Sequence, residues 1–278
     1  MTRRTARVLL AYHGGSFHGF APSPGVRTVL GVLKESMELI LRVPVDPVGA
    51  GRTDTGVHGW GQVVSVDLDG STDLDRLAMR INKFRGPELS IREISWAEPG
   101  FHARFSATAR HYRYHIWNDR APHPLASERS WHVRQPLSLW ALRAAGDPFI
   151  GQHDFSTFCR RPPDHLDGQP ASLIRNVTEL RWSRLGETPM LRLDISASAF
   201  CHQMVRSLVG TMVEVGLHKR SLSDLPAMLR SQNRSLMRTV APPHGLVLYR
   251  VSYDGVRWEA EHQRDHQRDH HSEQSLDE

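Results

Sequence analysis

Gly51-Arg52-Thr53-Asp54-Thr55-Gly56-Val57-His58-Gly59 joins two short apolar runs, Val45 to Ala50 and Val63 to Leu68. Both runs read as strands. One carboxylate, Asp54, therefore lies on a loop that rigid elements hold at both ends. Glycines at 49, 51, 56, 59 and 61 surround it. Glycine lets the chain turn through positive φ and lets a ligand come close to the backbone. Loops on rigid scaffolds are where binding and chemistry concentrate.

Outward from this loop, the apolar pattern predicts alternating strands and helices. Arg7 to Tyr12 reads as a strand. Val29, Val32, Leu33, Met37, Ile40 and Leu41 recur at helical spacing behind Thr28, a suitable N-cap. A second helical stripe, Leu74, Leu77, Ala78 and Ile81, follows Asp73, and Leu89 to Trp96 reads as a strand. This order is β-α-β-β-α-β. The second half repeats it: a strand from Arg110 to Trp117, a helix from Ser138 to about Ala145, and strands Ile174 to Ser183 and Met190 to Ser198 joined through Gly186. A helix from Phe200 to Val215, a further one over Leu222 to Leu229 and a strand from Leu246 to Tyr253 complete it. The expected fold class is α+β: two ferredoxin-like halves, a mostly antiparallel sheet with helices on one face, and a central cleft. The expected domains are 1–107, which carries the Asp54 loop, and 108–258. From residue 259 the chain is polar and aperiodic and reads as a disordered His-rich tail. His262, His266 and His270 would align only if that tail were helical.

The 278 residues carry a net charge of +5, and Lys occurs only at 34, 83 and 219, so the basic residues are overwhelmingly Arg. Arg forks onto phosphate and stacks on bases, which fits an RNA partner. Two cysteines, Cys159 and Cys201, make neither a disulfide framework nor a paired-cysteine zinc site and suit a reducing cytoplasm. The apolar run Val8 to Tyr12 behind Arg3, Arg4 and Arg7 is too short for a signal peptide or a membrane span. The chain has no His-Glu-X-X-His, no Cys-X-X-Cys, no phosphate loop before a Lys, no dinucleotide fingerprint and no Gly-X-Ser-X-Gly elbow. These absences weigh against hydride, phosphoryl and acyl transfer.

Two further stretches bear on function. Phe101 to Tyr114 interleaves basic and aromatic residues, and on its strand Tyr112 and Tyr114 share one face while His111 and Arg113 share the other. Aromatics stack on unpaired bases and Arg neutralises phosphate; Arg104, Arg110, Arg113, Arg160, Arg161 and Lys219 are candidates for a phosphate track. Ala199-Phe200-Cys201-His202-Gln203-Met204-Val205-Arg206 leads into an apolar helix with Met204, Leu208, Met212 and Val215 on one side.

Gly-Arg-Thr-Asp-X-Gly-Val-His resembles the signature of the tRNA pseudouridine synthase A family, and the two stretches above resemble it as well, over roughly residues 7 to 253. The resemblance implies that Asp54 is the catalytic residue and that Tyr112 lies against the target base. It also implies that Arg206 reaches the catalytic carboxylate, where a cation favours the ionised form. Arg52 would fill the space of the flipped base or grip its phosphate. The implied activity is isomerisation of uridine to pseudouridine at positions 38 to 40 of the tRNA anticodon arm, with no cofactor and no metal. The implied protein is a cytoplasmic homodimer away from membranes. The alternative is a catalytically silent tRNA-binding module of the same fold. Asp54 acts either as a nucleophile at the sugar carbon or as a base on a sugar proton. The chain departs from the family at Tyr12-His13-Gly14, Gly19-Phe20-Ala21, Thr55 and Asn82 to Pro87, stretches that bear on RNA contacts.

Overall fold

A computed structural model describes residues 2–161 and 172–256; the tail from residue 259, with His262, His266 and His270, lies outside the described residues. The elements run β1 (Arg3–Tyr12), α1 (Val29–Leu41), β2 (Val48–Gly49), β3 (His58–Asp69), α2 (Leu74–Arg85) and β4 (Leu89–Trp96). Then come β5 (Ala107–Trp117), β6 (Trp131–His132), α3 (Leu139–Gly146), β7 (Gly151–Asp154), β8 (Ile174–Arg184), β9 (Met190–Ala197), α4 (Met204–Gly216), α5 (Asp224–Ser231) and β10 (Leu246–Tyr253). Thr28, Asp73 and Ser138 cap α1, α2 and α3, each side-chain oxygen accepting a backbone N–H three residues on. Among the described residues no helix is long and apolar enough to cross a membrane.

One sheet runs through the molecule in the order β4-β1-β3-β10-β5-β9-β8-β7, with β2 on β3 and β6 on β5. In the first half the strands lie fourth, first, third, second: β4, β1, β3 and the short β2. In the second half β10, β5, β9 and β8 lie in the same order, with β7 added at the edge. Both halves are thus ferredoxin-like, and nearly all pairings are antiparallel, with Val8 opposite Val64 and Tyr112 opposite Ile195. The two halves meet where β3 and β10 run parallel, through only Val247 opposite His58 and Leu248 opposite Gly59. That seam begins four residues after Asp54. It is what sets the Asp54 loop between the halves.

Two apolar clusters form the core. One gathers Val8, Leu10, Val64, Leu33, Met37, Leu77 and Ile81 beneath α1 and α2. The other gathers Tyr114, Leu142, Phe149, Trp182, Ile195, Leu208 and Met212 around α3 and α4. Every residue of α4 except Arg206 is buried, so this helix is enclosed all round rather than on one side, its Ser207, Thr211 and Glu214 included.

Of the expected boundaries that move, three bear on the site. The strand expected over Val45 to Ala50 shrinks to Val48–Gly49, because Pro44 and Pro47 have no N–H to donate to a ladder. The helix expected from Phe200 starts at Met204, because Gln203 sits in the left-handed region at φ 63°. The strand expected from Val63 extends back to His58, inside the signature itself.

At Gly210 the inner face of α4 lies against the backbone of Thr239, and a Cβ there would collide with the Thr239 carbonyl. Gly210→Ala is expected to lower stability by about 1–3 kcal/mol through overpacking. Urea unfolding followed by circular dichroism reads this; a midpoint equal to that of the unaltered chain would contradict the close approach.

Candidate active site

Asp54 opens a tight turn. The Val57 N–H donates to the Asp54 carbonyl at 3.1 Å, and Gly56 takes the third position at φ 79°, a conformation suited to glycine. A Cβ on Gly56 would also stand 2.9 Å from Pro243. Behind the carboxylate, the Thr53 and Tyr12 hydroxyls share a hydrogen bond of 2.8 Å. The Thr53 carbonyl accepts the Phe20 N–H at 3.1 Å. Before it, the Gly51 carbonyl accepts from Gln62 Nε2 at 2.9 Å. The loop is thus fastened at 51, 53, 54 and 57, and the Asp54 side chain is left to project.

It projects toward the first turn of α4. Arg206 Nη1 donates to Asp54 Oδ2 at 3.0 Å, with side-chain exposures of 15% for Arg206 and 22% for Asp54. Arg206 is itself clamped: its Nε donates to the Ala241 carbonyl at 2.7 Å, and its own carbonyl accepts the Ala241 N–H at 3.0 Å. The other carboxylate oxygen, Oδ1, has His202 Nε2 at 3.5 Å. Charge-assisted contacts of this kind are the strong ones in a partly desolvated cleft.

Tyr112 is 9% exposed and meets Phe200 edge to face, with ring centroids 5.2 Å apart. Burial pushes its hydroxyl well above the ordinary phenol range, and the charges of Tyr12 and Asp54 add to this. The tyrosine therefore stays neutral beside a carboxylate it senses. Arg52 is exposed, and among the described residues it makes no ion pair. The structure thus brings Asp54, Arg206 and Tyr112 together and leaves Arg52 at the solvent edge.

Three features escape the sequence reading. First, the segment 241–245 braces the site: Ala241 holds Arg206, Pro242 accepts from the Tyr114 hydroxyl at 2.9 Å, and Pro243 backs Gly56. Its Ala-Pro-Pro-His-Gly composition signals a turn and nothing more. Second, His58 is a strut. Its Nδ1 accepts the Gly14 N–H at 3.1 Å, so Nε2 carries the proton and donates to the carbonyls of Glu128 at 2.9 Å and His244 at 3.1 Å. Burial, then the neighbouring His13, lowers its pKa and keeps it neutral. Third, Arg110 is no phosphate ligand. Its two terminal nitrogens donate to the carbonyls of Ala107, Ser198, Ala50 and Arg104 at 2.7–3.1 Å. Arg113 is likewise engaged, by Asp194 at 2.8 Å and by the Tyr249 ring.

A family model described as tRNA pseudouridine synthase matches residues 145–254. A tRNA pseudouridine synthase A of Caulobacter vibrioides is 38% identical over 248 residues, 89% of this chain and 98% of that one. Its counterpart from Mycobacterium leprae is 37% identical over 264 residues, 89% of this chain and 88% of the relative. The Bacillus subtilis protein of the same name is 32% identical, covering 88% and 97%.

The buried histidines set a pH limit on this arrangement. Burial lowers His111 and His115 from 6.5 to about 4, and lowers His58 from the same value. Above about pH 6.5, the ordinary imidazole value, both folded and unfolded chains hold these rings neutral. As pH falls from there toward about 4, the unfolded chain binds protons that the folded chain refuses, so stability declines. Urea midpoints are expected to drop between pH 7.5 and pH 5, and less steeply in His115→Gln; a flat profile would contradict neutral burial.

Proposed function

Because the chain belongs to the tRNA pseudouridine synthase A family, we propose that Asp54 is the catalytic residue with which it isomerises uridine to pseudouridine in tRNA. The observation that carries this reading is the Asp54–Arg206 pair, a carboxylate held in a cleft by a clamped guanidinium. The reaction breaks the bond from ribose C1′ to uracil N1 and forms one from C1′ to C5. A proton leaves C5 and N1 gains one, so no atoms or electrons are lost. Side chains that act on the sugar and the base suffice for such a rearrangement.

The target base is stacked in the RNA and is extruded at a cost of about a few kcal/mol. Arg52, exposed at the mouth, fills the vacated space or holds the flipped nucleotide's phosphate. Tyr112 packs against the uracil; its burial keeps the hydroxyl neutral, which suits stacking better than proton removal. Arg206 keeps Asp54 oriented at the ribose–base junction, where the carboxylate acts as nucleophile or as base. Residues 1–107 supply the acid and residues 108–258 supply the cation and the stacking tyrosine. The substrate uridines are those at positions 38 to 40 of the anticodon arm. The enzyme works as a homodimer in the cytoplasm, where its tRNA is.

Asp54→Asn keeps the shape of the side chain and removes its charge. With unmodified tRNA and no added metal or nucleotide, the unaltered chain is expected to form pseudouridine. Asp54→Asn is expected to form none while its affinity for tRNA stays within about threefold, since phosphate contacts dominate binding. Arg206→Lys is expected to lose about a hundredfold in turnover, because a lysine cannot hold Ala241 and Asp54 at once. Product mapping on the tRNA decides both; pseudouridine from Asp54→Asn would remove the carboxylate from the chemistry.

A further inference from the structure

The Asp54 carboxylate has two oxygens, and the clamped Arg206 grips only Oδ2. Oδ1 is left facing His202 Nε2 at 3.5 Å, slightly beyond a hydrogen bond, with the imidazole 45% exposed. His202 does not reach this place by chance of a floppy loop. Its carbonyl accepts the Arg160 N–H at 2.9 Å. The next residue, Gln203, is a non-glycine in the left-handed region at φ 63°, which a chain adopts only where surrounding contacts enforce it. Those contacts are present: Arg234 Nη2 donates to Gln203 Oε1 at 2.8 Å, and the Gln203 carbonyl accepts the Ser207 N–H at 2.9 Å. The Met204 N–H closes the turn onto the Cys201 carbonyl at 3.1 Å. A conformation that runs against helix continuation is thus built at Gln203, three residues before Arg206, and its result is an imidazole aimed at the free oxygen of the carboxylate.

We propose that His202 is a positioning residue for the reaction: its Nε2–H holds Asp54 Oδ1 when the nucleotide enters, so that the carboxylate plane is fixed at both oxygens. One anchor leaves a carboxylate free to rotate about its last side-chain bond, whereas two anchors on different oxygens stop it. Small misplacements of a reacting group cost large factors in rate. This inference rests on the reading of Asp54 as the catalytic residue.

The test uses the full chain and three substitutions that differ in reach. A glutamine side-chain nitrogen occupies the place of imidazole Nε2, whereas an asparagine nitrogen stops at the place of Nδ1. His202→Ala and His202→Asn are expected to lower the single-turnover rate of pseudouridine formation about tenfold, while His202→Gln stays within about threefold of the unaltered chain. Affinity for tRNA and the thermal midpoint are expected to hold in all three, since the ring is half exposed and touches Asp54 rather than the core. A His202→Ala rate equal to that of the unaltered chain overturns the proposal. So does an equal loss in all three variants, which would mean that a donor at the Nε2 position is not what matters, or a loss confined to tRNA affinity. Asp54→Asn run alongside separates the two readings: if it stays active, the reading of Asp54 fails, whereas if it is dead and His202→Ala is fully active, only the role of His202 fails.

Discussion

A single ion pair organises this molecule. Asp54 comes from the loop between β2 and β3, and Arg206 from the first turn of α4. Neither group belongs in a partly buried place alone, because an unpaired charge taken out of water is costly. Each is tolerable because the other is there and because the Ala241 carbonyl accepts a hydrogen bond from Arg206 Nε at 2.7 Å. Such a pair contributes little net stability, since desolvation offsets most of its attraction. Its value is in geometry: it fixes where a partly buried negative charge stands between the two halves.

The rest of the fold serves that geometry. The parallel seam of β3 and β10 is only two residue pairs long, and it holds the halves in register at the base of the Asp54 loop. Apolar packing joins the halves as well, with Leu9, Ala50, Val57, Val63 and Ala103 in one cluster with Tyr112 and Leu248, and hydrogen bonds add direction to it. Arg110 ties β5 to Ala50 and Arg104. His58 ties Gly14 to Glu128 and His244. These are directional bonds, and buried networks of this kind specify one arrangement when every member is satisfied.

Much of the fold was legible in the sequence because periodicity reports burial. The stripes beginning at Val29 and Leu74 are helices, and their caps sit at Thr28 and Asp73 as the residue types require. What misled was local chemistry that overrides pattern. Val45 is apolar and buried, yet flanking prolines keep it out of the sheet. Phe200 fits the helical stripe, yet a left-handed Gln203 stands between it and the helix. In the site, Asp54 was legible from its glycine-rich setting and the motif around it. The contact of Oδ1 with His202, the brace at 241–245 and the spending of Arg110 on four carbonyls were not. Each depends on which segments meet in space, and no spacing along the chain encodes that.

The distance along the chain between Asp54 and Arg206 is 152 residues. During synthesis the acidic loop leaves the ribosome long before the cation that completes it, and before the strand β10 that docks beside His58. A nascent or truncated polypeptide thus carries the carboxylate without the means to aim it. The pairing that fixes Asp54 therefore arrives late, once α4 is made and β10 docks beside His58.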